Sequence, residues 1–243
     1  FLFAFWHYKY TLYYFFKERA QKKYEVSLTN EMRIFDVLQK NKGLLYGVDV
    51  SHYQGNIDWD KPLKIQDSFP VSFVFVRATA GKNLKDRKFD DFWKALEKRK
   101  ITRGAYHYYR PNENSLQQAQ NFIKTVTLKK GDMPPVLDIE NVPSTQSLDS
   151  LKLGLRRWLN AVENHYGVKP IIYSGDDFYS RHLYESFPEY KVWIANYNFF
   201  VERAERDWHF WQFTDKASIP GCKEPVDANI FNGDSLNFFE LLK

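Results

Sequence analysis

At 243 residues the chain has room for one large α/β domain or two small ones, with a core that needs no covalent staples. Its single cysteine, Cys222, excludes an intrachain disulfide and a cysteine-based zinc site. The net charge of +5 falls mostly on residues 1–43, which hold eight Lys/Arg against four Asp/Glu, so the rest of the chain is near neutral and offers no broad face for nucleic acid. Aromatic residues make up 18% of the chain, more than one core requires, and Tyr and Trp suit the mixed apolar and polar faces of a sugar.

The first 16 residues, FLFAFWHYKYTLYYFF, are apolar and aromatic but interrupted by His7 and Lys9. This run is shorter than the roughly 20 residues needed to span a bilayer. Residues 1–43 are read as a leader, either the remnant of a membrane signal anchor or an amphipathic helix packed on the domain, and 44–243 as one folded unit. From Leu44 onward, short β-rich runs at 46–51, 73–79, 103–109, 135–140, 170–174, 191–197, 208–213 and 226–231 alternate with helical periods. Phe89, Phe92, Trp93 and Leu96 share one helical face, as do Leu116, Ala119, Ile123 and Val126. A longer helix is predicted over 147–166, with Leu148, Leu151, Leu155, Trp158 and Val162 as its stripe and Gly167 as its C-cap. Eight strands separated by helices predict an α/β fold, a closed parallel TIM-like (β/α) barrel. The last three connections are too short for full helices, so the barrel is expected to be irregular.

In such a barrel the chemistry sits at the C-terminal ends of the strands. Asp49 lies in the first strand, Asp138 and Glu140 end the fourth, and Asp227 opens the last. Asp138 and Glu140, one residue apart after the apolar approach PPVL, face the same side of a strand with roughly 7 Å between their Cβ atoms. Two inward carboxylates disfavour each other's ionised form, which raises one pKa. That is what glycoside cleavage needs, a protonated acid beside an ionised partner. Tyr106, Tyr108, Tyr173, Trp193, Tyr197 and Trp211 fall near strand ends, where a subset can line a cleft. His52, His107, His165, His182 and His209 show no metal-binding spacing and no G-x-S-x-G elbow accompanies them, so most are read as structural and neither metal nor cofactor is expected.

The ordered stretches GVDVSHYQGNIDW, FVFVRATAG, GAYHYYRP, PVLDIE, PIIYS, VWIANY, and WHFWQF followed by VDAN resemble glycoside hydrolase family 25, the Chalaropsis-type lysozymes. The resemblance implies a barrel of five βα units plus three further strands, and hydrolysis of the β-1,4 bond from N-acetylmuramic acid to N-acetylglucosamine in peptidoglycan; net retention by N-acetyl assistance is the favoured hypothesis, with the direct-nucleophile route left open. By position, Glu140 is implied as the general acid and Asp138 as stabiliser or as the group orienting the substrate's N-acetyl. Asp49 and Asp227 match further acidic positions, and Tyr106 and Tyr173 aromatic sugar contacts; Tyr108, Trp193 and Trp211 complete the expected substrate-binding set. Peptidoglycan strands are the expected partner, a monomer acting at the cell envelope or secreted the expected setting, with the leader as a membrane tether. The alternative carried alongside is a non-catalytic glycan-binding barrel. The acidic series D-x-x-D-x-D-x-E of chitinase-like enzymes is absent before Glu140.

Overall fold

The computed structural model describes residues 28–205 and 207–243, so the aromatic run 1–16 lies outside the described residues. Eight strands form the barrel: β1 (Leu45–Val50), β2 (Phe69–Ala80), β3 (Thr102–Tyr108), β4 (Val136–Asp138), β5 (Ile171–Gly175), β6 (Lys191–Ala195), β7 (Phe210–Ala217) and β8 (Val226–Phe231). Each pairs with its neighbours in chain order, and β1 pairs with both β2 and β8, which closes the sheet. The wholly parallel expectation requires one correction. β8 runs antiparallel to both β7 and β1, because the β7–β8 link is a short loop that turns the chain straight back.

Five helices accompany the strands: α1 (Leu28–Lys40), α2 (Phe89–Lys98), α3 (Ser115–Thr125), α4 (Leu148–Tyr166) and α5 (Ser235–Leu241). A 3-10 turn, His52–Gln54, follows β1, and a broken helical run from Asp176 to Ser186 follows β5. The first five strands are thus each followed by a helical segment and three strands complete the barrel, with the first and fifth segments cut short. Ser147 Oγ accepts from Ser150 N at 3.1 Å to start α4, and Gly167, at φ 71°, ends it in the left-handed conformation. α2 buries the four residues its periodicity predicts. α3 is rotated from the predicted face: Gln118, Ala119 and Phe122 are buried while Leu116 is exposed. The cause is polar. Gln118 is drawn inward by His107 Nε2, 3.1 Å from its Oε1, and by the Arg110 backbone N–H, which donates to the same oxygen at 2.9 Å.

α1 lies ahead of Leu44 but belongs to the folded unit. Ile34, Val37 and Leu38 are in the core, and the Arg33 guanidinium donates to Phe213 O at 2.6 Å and Asn198 O at 2.8 Å.

Strand alternation separates two cores. One lies between barrel and helices. The other fills the barrel with Phe73, Phe75, Val136, Ile171, Phe210 and Phe231, and is plugged at its base by Phe238 and Leu241 of α5. Room for these rings comes from two glycines. A Cβ on Gly47 would overlap the Phe73 ring, and one on Gly104 would meet the Phe75 ring at 2.5 Å. Gly104→Ala should therefore lower the unfolding free energy by about 1–3 kcal/mol in urea titrations. Adding Phe75→Leu should recover part of that loss; strictly additive losses would show that the two positions do not compete for space.

Candidate active site

Along four of the strands the inward series changes from apolar or glycine to polar toward the C-terminal mouth of β1–β7. β1 runs Gly47 then Asp49, β2 runs Phe75 then Arg77, β4 runs Val136 then Asp138, and β7 runs Phe210 then Gln212. The result is a cleft of about 660 Å³. Asp227 reaches it for a topological reason. The opening residue of a parallel strand would lie at the barrel's other end, but β8 runs the opposite way, and Asp227 stands in register with Asp49.

Asp138 is buried on the cleft floor; Glu140, two residues on, is exposed at the rim. The two side chains share a hydrogen bond. Burial, then the neighbouring charge of Glu140, then that of Asp49, hold the Asp138 carboxyl well above the usual carboxylate range. Its Oδ1 is buried and has no hydrogen-bond partner among the described residues. A second carboxyl pair lies across the floor. Asp49 Oδ2 accepts from Gln212 Nε2 and Asn229 Nδ2, each at 2.8 Å, and the Asp49 side chain also shares a hydrogen bond with Asp227. Burial pushes Asp49 up to about 6, against the lowering effect of these three partners. Asp227 is held well above the ordinary range by burial and by the Asp49 charge beside it.

The aromatic walls are tied to the same network. Tyr173 Oη donates to Gln212 Oε1 at 2.8 Å, and Tyr197 Oη donates to the same atom. Trp193 Nε1 donates to Asn229 Oδ1 at 2.8 Å while its ring stacks on Phe75 with centroids 4.4 Å apart. Tyr106 and Tyr108 line the cleft from β3, and Tyr108 Oη accepts from Asn141 Nδ2 at 2.9 Å.

Asp49, Asp138, Glu140, Asp227, Tyr106, Tyr108, Tyr173 and Trp193 line one cleft. Trp211 does not. Because Gln212 faces inward, Trp211 faces outward into the core beneath the helices, where its Nε1 donates to Asn196 O at 2.9 Å. His107 is structural, buried between Thr79 Oγ1 at 2.7 Å and Gln118. Arg77, Gln212 and Asn229 are cleft or floor residues that the sequence reading did not single out, and His52, grouped there with histidines read mostly as structural, also lines the cleft. The available signal was a polar residue continuing an inward apolar alternation, as in Phe73, Phe75, Arg77 and in Phe210, Gln212.

A model described as Glycosyl hydrolases family 25 matches residues 48–222. The chain belongs to this family. It is therefore a glycoside hydrolase. Among its relatives, protein YegX of Escherichia coli (strain K12), described as uncharacterized, is 39% identical over 78% of this chain and 70% of its own length. Lysozyme M1 of Streptomyces globisporus is 30% identical over 80% of this chain and 70% of its own length. Two solved structures superpose on it, a family 25 glycosyl hydrolase from Bacillus anthracis and a bacterial lysozyme from Streptomyces coelicolor. The first gives a TM-score of 0.71 at 29% identity, covering 81% of this chain and 92% of that one. The second gives 0.72 at 26% identity, covering 82% and 97%.

The carboxyl cluster of this family 25 enzyme has a measurable consequence for stability. Between the ordinary Asp value of 3.8 and about 6, folded Asp49 retains a proton that the unfolded chain has released. Its stabilising contribution is complete below that window and is lost as pH rises through it. Buried His107, lowered to about 4 chiefly by desolvation, acts in the opposite sense, contributing stability above about 6.5 that is lost as pH falls. The wild-type profile therefore mixes slopes of both signs, with Asp138 and Asp227 adding to the falling one, and Asp49→Asn removes the Asp49 share together with the charge that helps to raise Asp227. The unfolding free energy of the variant minus that of wild type should grow by roughly 2–3 kcal/mol as pH rises from 4 to 6. A difference that stays flat across the window would contradict a raised Asp49.

Proposed function

We propose that this glycoside hydrolase is a lysozyme, a 1,4-β-N-acetylmuramidase that cuts the bond from N-acetylmuramic acid to N-acetylglucosamine in bacterial peptidoglycan with net retention. The observation that carries the reading is the Asp138/Glu140 pair, a buried carboxyl on the cleft floor held well above the usual carboxylate range by burial and hydrogen-bonded to an exposed carboxyl at the rim. A directly acting carboxylate nucleophile works ionised and about 5–5.5 Å from its acid. Asp138 instead hydrogen-bonds to Glu140 and holds a proton, which suits it to serve the substrate's own acetamido group.

The steps follow from those positions. Binding expels water, and the shared proton passes along the hydrogen bond from Asp138 to Glu140, which stands at the rim beside the leaving oxygen. The Asp138 carboxylate accepts the acetamido N–H, so the negative charge left on it supports attack of the acetamido oxygen on C1. As that bond forms, the C1–O bond to the leaving sugar breaks and the leaving oxygen takes the Glu140 proton. Water then adds to C1 from the vacated side, its proton returning to Glu140, and the acetamido group is restored with the original configuration at C1. Tyr106, Tyr108, Tyr173 and Trp193 supply sugar-facing walls, and Asp49 with Asp227 fixes the walls through Gln212 and Asn229. A barrel that only bound glycan would have no use for carboxyls whose desolvation is this costly.

The protein acts on wall material at or outside the cell envelope, with the aromatic run 1–16 as its tether. No helix among the described residues is long and apolar enough to cross a membrane. Incubation with purified peptidoglycan should release new reducing ends, identified by mass as muramic acid. Glu140→Gln should lower the rate by about 10²–10⁴-fold, the usual worth of a general acid. Equal rates for both proteins would mean that another group is the acid. Walls lacking the muramic N-acetyl should resist cleavage, whereas unchanged cleavage of such walls would rule out the acetamido route.

A further inference from the structure

The acidic cluster creates a difficulty for the substrate proposed above. N-acetylmuramic acid differs from N-acetylglucosamine by a lactyl ether on O3 that ends in a carboxyl group, either free or joined to a peptide carrying carboxylates of its own. Asp49, Asp138, Glu140, Asp215 and Asp227 all line the cleft, and even with a proton shared within each hydrogen-bonded pair they leave it net negative and repel such an anion.

On the side of the cleft built by the C-terminal ends of β1, β2 and β3, the lining changes to His52, Tyr53, Arg77 and Arg110. The counter-ions of the two arginines stand behind them. Asp86, whose side chain is fully buried, accepts from Arg77 Nε at 3.0 Å and from the His52 backbone N–H at 3.2 Å. Glu113 accepts from Arg110 Nη1 at 3.2 Å. Neither Asp86 nor Glu113 is among the residues lining the cleft. The cations therefore face the cleft while their carboxylates face away. The Arg77 guanidinium is further held over the ring of Tyr53, 4.9 Å from its centroid, and Tyr53 itself is 70% exposed at the rim. Tyr53 sits on the 3-10 turn after β1, locked by a capping box in which Gln54 Oε1 accepts from Ser51 N at 2.8 Å. This is a preorganised donor surface beside an exposed ring, of the kind that reads a carboxylate attached to a sugar.

We infer that His52, Tyr53, Arg77 and Arg110 form a subsite for the carboxylate borne by the O3 substituent of the muramic residue. The inference rests on the muramidase reading. The subsite would let a strongly acidic cleft accept an anionic glycan, and it would favour muramic acid over a neutral N-acetylglucosamine at that position.

The test compares glycan strands stripped of peptide, which present the free lactyl carboxylate, with strands that keep their peptides, each with carboxyls intact or blocked as methylamides. Blocking should raise wild-type KM about 3- to 10-fold, as for loss of one charge-assisted hydrogen bond. A response confined to stripped strands names the lactyl carboxylate as the ligand, and one confined to peptide-bearing strands names the peptide. In Arg110→Gln, a half-buried position whose side chain is 43% exposed, the KM values for intact and blocked strands should converge. Arg77→Lys, which preserves a cation for Asp86 but loses the planar fork, provides the second variant. Calorimetric binding of the same four ligands to Glu140→Gln reads the subsite without turnover, so it still decides if no muramic ends are released and the muramidase reading fails. Affinity and KM indifferent to carboxyl blocking, with walls still cleaved, would overturn the subsite alone.

Discussion

The direction of β8 is the constraint on which the site depends. Had β8 entered the barrel parallel to its neighbours, Asp227 would stand at the base and Phe231 at the mouth. Its reversal places Phe231 among Phe73, Phe210 and Phe238 at the closed end and delivers Asn229 and Asp227 to the open one. Asp49 then has Asp227 in register across an antiparallel pair and Asn229 within 2.8 Å. Both Trp193, through Asn229, and Tyr173 and Tyr197, through Gln212, take their orientation from that one carboxylate.

Concentrating carboxyl groups in a partly dry cleft works against folding, because burial and mutual repulsion both penalise the ionised forms. The structure limits the penalty by pairing. Asp138 shares a hydrogen bond with Glu140, and Asp49 with Asp227, so each pair holds a proton where two isolated buried anions would be far more costly. The residual penalty is a source of reactivity, since burial that raises the proton affinity of a carboxyl makes it a better holder of a proton for a leaving group.

Stability and chemistry occupy opposite ends of the same strands. The base of the barrel is packed with phenylalanine rings against Gly47 and Gly104, and the helices bury a separate apolar layer outside it. Rigid strands ending in functional side chains hold those groups still, while the connecting segments are free to vary, from a single 3-10 turn after β1 to the 19 residues of α4. Family membership fits this division, for solved structures sharing only 29% and 26% of their residues with this chain retain the barrel.

The amino-acid sequence by itself determined the elements. Periodicity of two and of 3.6 marked all eight strands and the buried face of α2, since these patterns report burial locally. It likewise marked Asp138 and Glu140 as neighbours on one face. Only the tertiary structure decided which way β8 runs, because a strand's pattern reads the same in either direction. It decided that Trp211 faces the helices, as the phase of an aromatic-rich strand with apolar residues on both faces is ambiguous until Gln212 finds Asp49. It rotated α3, where a buried amide outweighed an apolar stripe. And it brought Arg77 and His52 together on Asp86, a contact across distant turns for which no local spacing gives a signal.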